Sequence, residues 1–513
     1  MACSRPPPPT SSTVSVIRGS PARWLPKGCL SSDTVRADGS LRELATGARN
    51  KWVRSDVRPA MEVVNPATGE RIETYEEADR STVERALDDS WAAYSEWRER
   101  PLADREELIQ SAGEVLRENK REYGELMTEE MGKPVSQAVA EVEKCAWLCD
   151  HYAEHAYAYL EDEHHPSPPG TEVKTVYEPI GVVLSVMPWN FPFWQVFRFI
   201  APYITAGNVG VLKHASNVPG CAEAIEDVLR QAGYPEGVFQ SLLAPSDLVD
   251  DILDDDRVRG ATLTGSGPAG RAVASAAGER LKKTVLELGG SDPFVVLDDA
   301  DLAAAAETGA WARNQNGGQS CIAAKRFVVH TDVYDDFVDR LVSEFESLTV
   351  GDPMDEDTDV GPQARQELLD ELHEQVVASV DAGATVVTGG EPLDRDGAFY
   401  PPTVLADVPA GCPADSEELF GPVAAVYEVD DEDAAVERAN DTEFGLGASI
   451  WTEDRERGER VARRVEAGCV YVNQLTKSDP RVPFGGVKES GYGRELSEIG
   501  MKEFVNRKTV WIE

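Results

Sequence analysis

The chain of 513 residues is long enough for two or three domains with sizeable cores, and its 41% hydrophobic and 28% charged residues are those of a globular protein. No uninterrupted apolar run reaches the roughly 18 residues a membrane-spanning helix needs, and a formal charge of −42, from 50 Lys and Arg against 92 Asp and Glu, would repel nucleic-acid phosphates. The acid is scattered among periodic apolar segments, in runs such as Asp254-Asp255-Asp256 and Asp430-Asp431-Glu432-Asp433, and so reads as a heavily hydrated halophilic surface rather than a disordered tail.

Residues 1–60 are rich in Pro and Ser and carry a formal charge of +6, leaving −48 on residues 61–513. A basic, Ser-containing leader fits a transit peptide. The first recognisable fold segment, however, opens at Met61 with Val63-Val64-Asn65-Pro66-Ala67-Thr68-Gly69, and the charge changes sign there. Residues 1–60 therefore read as an unstructured extension upstream of the true start. From Ser81 a helix is expected, with Ser81 and Glu84 as a capping box and Val83, Leu87, Trp91 and Tyr94 at helical spacing. Two more helical patterns run to about Leu160. One of them holds Cys145, Cys149, His151 and His155, but at 100° per residue the two pairs centre about 120° apart, so they read as structural helix residues and not as a zinc site.

The period then changes. Gly181 to Met187, Val209 to Leu212, Val238 to Leu242 and Gly260 to Leu263 are short apolar runs separated by loops or helical stretches, which predicts a largely parallel, covered sheet. A second alternating region runs from Pro293 to about Val472, with surface loops at 351–363 and 389–398. No repeat of 20–50 residues is evident. Eight irregularly spaced cysteines suit a reducing cytosol.

Gly265-Ser266-Gly267-Pro268-Ala269-Gly270 satisfies G-x-G-x-x-G after an expected strand, so helix-start N–H groups could approach a pyrophosphate. On a Rossmann reading Glu287, about 20 residues onward, would hold a ribose. Cys321 closes Asn316-Gly317-Gly318-Gln319-Ser320-Cys321, small and polar neighbours that leave room for a carbonyl beside the sulfur. A buried, inert thiol is the ordinary alternative.

Five runs decide between these readings: Pro188-Trp189-Asn190-Phe191-Pro192, Leu286-Glu287-Leu288-Gly289-Gly290, Gly318-Gln319-Ser320-Cys321, Glu418-Leu419-Phe420-Gly421-Pro422 and Pro483-Phe484-Gly485-Gly486. In this order they resemble the aldehyde dehydrogenases, and the resemblance spans about Val63 to Trp511. It implies an α/β fold with a Rossmann-type cofactor domain over 61–160 and 179–289 and a catalytic α/β domain over 290–499. A small bridging and oligomerisation sheet would come from 161–178 and 500–513.

By that resemblance Cys321 attacks an aldehyde to form a thiohemiacetal, which gives up hydride and leaves a thioester. Glu287 is the base and the activator of hydrolytic water, and Asn190 with the Cys321 N–H forms the oxyanion hole. The cofactor, NADP or NAD, would be held by Trp189, Lys213, Ser216, Gly265, Ser266, Glu418 and Phe420. Ser216 stands where strongly NAD-selective relatives often carry a glutamate, and Lys213 and His214 add positive charge, so NADP is accommodated.

Within the family, Phe191 to Arg198 and Lys213 to Gly220 are most similar to succinate-semialdehyde dehydrogenases, with Arg198 matching an arginine on the substrate's distal carboxylate. A second arginine found in some of those enzymes is Gln315 here, and Lys477, Ser478 and Arg481 are the candidates to replace it. Other readings are another small aldehyde, a CoA-acylating enzyme, a cysteine hydrolase, which lacks a histidine partner, and a silent relative, which would be expected to lack Cys321 or Glu287. The expected partners are an aldehyde and further copies of the chain, as a cytoplasmic homodimer or homotetramer, since Val510-Trp511-Ile512 would leave an apolar end exposed. No metal, nucleic acid or membrane partner is expected.

Overall fold

The computed structural model describes residues 60–513, so the expectation for the N-terminal extension lies outside the described residues. A short antiparallel pair, Ala60–Val64 with Arg71–Glu76, leads into four helices, Arg80–Trp97, Leu102–Glu118, Lys120–Met131 and Val135–Tyr159. The first helix buries Val83, Leu87 and Tyr94 as its spacing predicts. Its cap is Asp79 rather than Ser81, because the Asp79 carboxylate accepts the Thr82 N–H at 2.8 Å and the helix already begins at Arg80. The stretch after it divides into three helices, not two, since Asn119 and Gly132 interrupt the periodic pattern. In the last helix Cys145 and Cys149 are buried in the core, while the His151 and His155 rings stack 4.4 Å apart and His151 meets Tyr159 Oη at 3.1 Å.

The apolar runs become the centre of a six-stranded sheet, in the order Gly491–Tyr492, Lys283–Glu287, Val258–Thr264, Val182–Met187, Val209–His214, Phe239–Ser241. Five strands are parallel. The sixth, Gly491–Tyr492, is antiparallel to Lys283–Glu287 and lies within the 290–499 segment assigned to the catalytic domain. Two residues too short to show alternation cannot announce that crossing.

A second sheet of seven strands has the order Thr385–Thr388, Thr403–Ala406, Val423–Val429, Ala324–His330, Asp292–Val296, Gly447–Trp451, Cys469–Val472. All its pairings are parallel except the first. Separate apolar clusters cover its two faces, one around Phe294, Phe327 and Trp451 and the other around Val295, Val328 and Ile450, which is why its central strands read as unbroken apolar runs. The third sheet pairs Glu172–Pro179 antiparallel with the C-terminal Val505–Ile512 on one side and Glu163–His164 on the other. Trp511 and Ile512 remain 57% and 49% exposed at its end. Among the described residues no helix is long and apolar enough to cross a membrane.

Candidate active site

The helix Leu302–Asn314 ends in a tight reversal in which Asn316, Gly317 and Gly318 have φ of 56°, 61° and 74°. Gly318 is required there twice over, by its left-handed backbone and because a Cβ would strike the carbonyl group of Gly421. The fully buried Arg313 holds the two loops together, donating to Gly318 O at 2.7 Å, to Leu419 O at 3.3 Å and to Gly421 O. Cys321 follows this reversal. Lys325, at the start of the strand Ala324–His330, donates to the carbonyls of Ser320 at 2.8 Å and Cys321 at 2.7 Å, and pairs with Glu418 at 3.0 Å. Burial pushes the Cys321 thiol up to about 12, against the opposing fields of Lys325 and Arg198. The resting sulfur is therefore a thiol and needs a base.

On one side of Cys321 lies a cavity of about 770 Å³ whose walls include Trp189, Asn190, Gly265, Ser266, Glu418 and Phe420. It sits at the carboxyl ends of the strands Val182–Met187 and Val258–Thr264, where open parallel sheets bind ligands. Ser266 is the N-cap of the helix Gly267–Glu279, and with Pro268 it brings the start of that helix to the cavity wall. Gly270 lets that helix close onto Leu288, for a Cβ there would stand 2.5 Å from Leu288 Cδ2. Trp189 and Phe420 form an edge-to-face wall 5.8 Å apart. A helix start, a carboxylate and an aromatic wall suit the diphosphate, ribose and ring of a dinucleotide.

Asn190 is buried, its side-chain amide donating one bond to Gln319 O at 3.0 Å, while Asn316 Nδ2 donates to Asn190 O at 2.7 Å. The two motifs are thereby locked together, with a second Asn190 N–H left over. Lys213 and Ser216 lie outside the walls of this cavity: Lys213 is buried at the end of the strand Val209–His214, its amine lowered by burial, and Ser216 is exposed just beyond. His214 does not supply the expected positive charge. It is buried, its Nδ1 accepts the Ala215 N–H at 2.9 Å, its Nε2 lies 3.1 Å from Pro192 O, and burial lowers it to about 4.

Glu287 closes the strand Lys283–Glu287 and does not line the cavities beside Cys321. Its buried carboxyl has no hydrogen-bond partner and faces Gly485, where a Cβ would come within 2.6 Å of Glu287 Oε1. Burial, and then the nearby Glu495 carboxylate, raise it well above the usual range. Arg198 is not the free guanidinium expected: its Nε lies 2.7 Å from Glu495 Oε2, with both side chains buried, and its guanidinium stands 4.9 Å from the Phe484 ring centre. It does line a second, small cavity of about 70 Å³ on the other side of Cys321, together with Lys477 and Ser478. Arg481 does not. It is exposed and tied to Asp479 at 2.6 Å, since a two-residue separation lets these neighbours pair outside the cavity.

A family model described as "Aldehyde dehydrogenase family" matches residues 52–510. The chain belongs to the aldehyde dehydrogenase family. It is 50% identical over 453 residues to a probable succinate-semialdehyde dehydrogenase [NADP(+)] of Synechocystis, covering 88% of this chain and all of that one. A succinic semialdehyde dehydrogenase of Streptococcus pyogenes, solved with NADP+, superposes with a TM-score of 0.86 at 37% identity, covering 88% of this chain and all of that one. An NAD-dependent aldehyde dehydrogenase of Sinorhizobium meliloti also superposes at 0.86, with 33% identity and coverage of 88% and 91%.

In this aldehyde dehydrogenase the motifs led to Cys321, Asn190 and Glu418 but passed over the buried groups that hold them. Lys325 stands four residues after Cys321 and had a local signal, a lysine opening an apolar strand. Glu495 and Lys144 had none, because their partners come from distant segments, and Arg313 joins the nearby Gly318 to the distant Leu419 and Gly421.

Proposed function

We propose that this aldehyde dehydrogenase oxidises succinate semialdehyde to succinate, with NADP as the preferred acceptor. The observation that carries the reading is the placement of Cys321 between two cavities of different chemistry, a large one with a helix start and an aromatic wall, and a small one with cationic and hydroxyl groups. The relatives named for succinate semialdehyde and NADP support it. Ser266, Glu418, Trp189 and Phe420 would hold the dinucleotide, which would supply the hydride acceptor.

The work of the chain's own residues follows from their positions. Glu287, raised by burial, takes the Cys321 proton on moving from its pocket beside Gly485. The thiolate sulfur bonds to the aldehyde carbon, and the oxygen that gains the negative charge is met by the free Asn190 N–H and the Cys321 backbone N–H. Glu287 then passes the cysteine proton to solvent and, after oxidation, its carboxylate takes a proton from the water whose oxygen bonds to the thioester carbon, so that the C–S bond breaks and the acid and the Cys321 thiolate are released. Glu287 thereby favours hydrolysis over transfer to CoA. Ser216, uncharged and exposed, leaves room for a 2′-phosphate.

The segments 61–160 with 179–289 form the cofactor domain on this reading, 290–499 the catalytic domain, and the third sheet a contact between copies in a cytoplasmic homo-oligomer. An aldehyde panel assayed with NADP and with NAD, at low and at molar KCl, tests the assignment. Preference for an uncharged aldehyde would reject the substrate, and preference for NAD the cofactor.

A further inference from the structure

The helix Pro192–Phe199, which begins two residues after Asn190, carries no cap of its own. Phe191 in the N-cap position has no side-chain oxygen, and Pro192 has no N–H, so the N–H groups of the buried Phe193 and Trp194 depend on a partner from elsewhere. That partner comes from the helix Val135–Tyr159, where Glu141 Oε1 accepts both, at 3.0 and 2.9 Å. The other oxygen of the same carboxylate pairs with Lys133, and both side chains are buried. The Lys133 ammonium also stands 3.9 Å from the centre of the Phe191 ring. One buried ion pair thus holds the chain from Phe191 to Trp194 at three points.

Gln137 stands four residues before Glu141, on the same face of that helix, and grips the facing loop. Its Oε1 accepts the Asn316 N–H at 2.7 Å, and its Nε2 donates to Asp359 O at 2.8 Å. Asn316 in turn donates to Asn190 O at 2.7 Å. The loop that leads to Cys321 and the segment that carries Asn190 therefore rest on one helix face, the first at Gln137 and the second at Glu141. The mechanism above uses neither residue.

We propose that Gln137 and Glu141 are positioning residues that set the Asn190 side-chain amide against Cys321, so that its remaining N–H meets the oxygen that gains negative charge. This rests on the reading of Asn190 as an oxyanion donor above. Such a donor acts only when its hydrogen is aimed at the place the oxygen will occupy, and a displacement of about 1 Å costs up to about a hundredfold in rate. A carboxylate that grips two successive N–H groups fixes the tilt and the height of the segment after Asn190, and Lys133 matches its charge in the buried setting.

Removing Glu141 alone would strand the buried Lys133 charge, so the pair is replaced together: Lys133→Met with Glu141→Gln keeps an acceptor for the two N–H groups, and Lys133→Met with Glu141→Met removes it. The measurement is the rate of the first turnover at saturating NADP, with succinate semialdehyde and with butanal. Relative to the Gln pair, the Met pair should be slower by about ten- to hundredfold on both aldehydes, with the NADP dissociation constant within about twofold. Asn190→Ala should by itself slow the first turnover by about a hundredfold or more. In that background the exchange of Gln for Met should matter by less than about twofold, because a residue that acts through Asn190 has nothing left to place. An unchanged rate in Asn190→Ala would overturn the oxyanion reading and the proposal together. A slowed Asn190→Ala, beside a Glu141 exchange that changes nothing, affects one aldehyde alone, or costs as much without Asn190 as with it, would overturn the proposal alone. Should either pair fail to fold, Gln137→Leu at its half-buried position serves instead: its loss of rate should likewise vanish in Asn190→Ala, and an unchanged rate or an undiminished loss overturns the proposal.

Discussion

Cys321, the proposed nucleophile, rests as a thiol, and the proposed base Glu287 is held away from it. Burial raises the sulfur, Lys325 pins the flanking carbonyls, and the base stands apart in its own pocket. Cys321→Ala should abolish aldehyde oxidation while leaving dinucleotide binding within about twofold, since one small side chain is exchanged for another; turnover near the wild-type level would remove Cys321 from the nucleophile's role. The base carries a pH signature. Burial, and then the Glu495 carboxylate, raise Glu287 against the opposing guanidiniums of Arg198 and Arg494. Its base form is populated only as the pH rises through that raised value, which puts the acid limb of turnover above the ordinary carboxylate range. Glu495→Gln removes the like charge, lowers Glu287 and should move this limb to lower pH. A pH-rate profile with an unmoved limb would assign the base to another group.

The elements that hold these residues are loops clamped to one another rather than helices or strands. The left-handed turn at Gly318 seats against Gly421, and Arg313 ties both to Leu419, so the nucleophile loop and the loop bearing Glu418 and Phe420 form one unit. Gly318→Ala both overpacks this contact and strains the backbone, at a cost of about 1–3 kcal/mol or more. A lowered melting temperature should come with weaker dinucleotide binding by fluorescence titration, whereas lost stability with unchanged binding would separate the two loops. On the cofactor side Ser216 follows the strand Val209–His214 and is exposed. Ser216→Glu places a negative charge near the expected 2′-phosphate, so kcat/KM with NADP should fall by about tenfold or more while NAD is spared. Equal losses would show that Ser216 faces elsewhere. His214, neutral and fastened to its own loop, contributes no charge to that discrimination.

Over the whole molecule the controlling feature is charge. Residues 61–513 carry −48, and at 0.1 M salt the screening length of about 10 Å leaves much of that repulsion unscreened. The melting temperature should therefore rise steadily from dilute buffer to molar KCl, where the length is about 3 Å; a flat or falling curve would mean that the acidic surface does not oppose folding. That surface, the alternation of strands and helices, and the small residues around Cys321 are local properties, so the amino-acid order alone determined them. Val182–Met187 and Val209–His214 read as buried strands because Val, Leu and Met dominate the first and the run Val209 to Leu212 of the second. The motifs likewise singled out Cys321, Asn190 and Glu418, which the fold brings to the walls of one cavity. Tertiary structure decided which charges are spent and which are free. From the sequence Arg198 is a cation suited to a substrate carboxylate; only the fold shows that it lines the small cavity beside Cys321 with Glu495 against it, as only the fold brings Ser478, 334 positions away, within 2.9 Å of Lys144. An ion pair depends on what a distant segment delivers to the same buried place, and no local pattern carries that information.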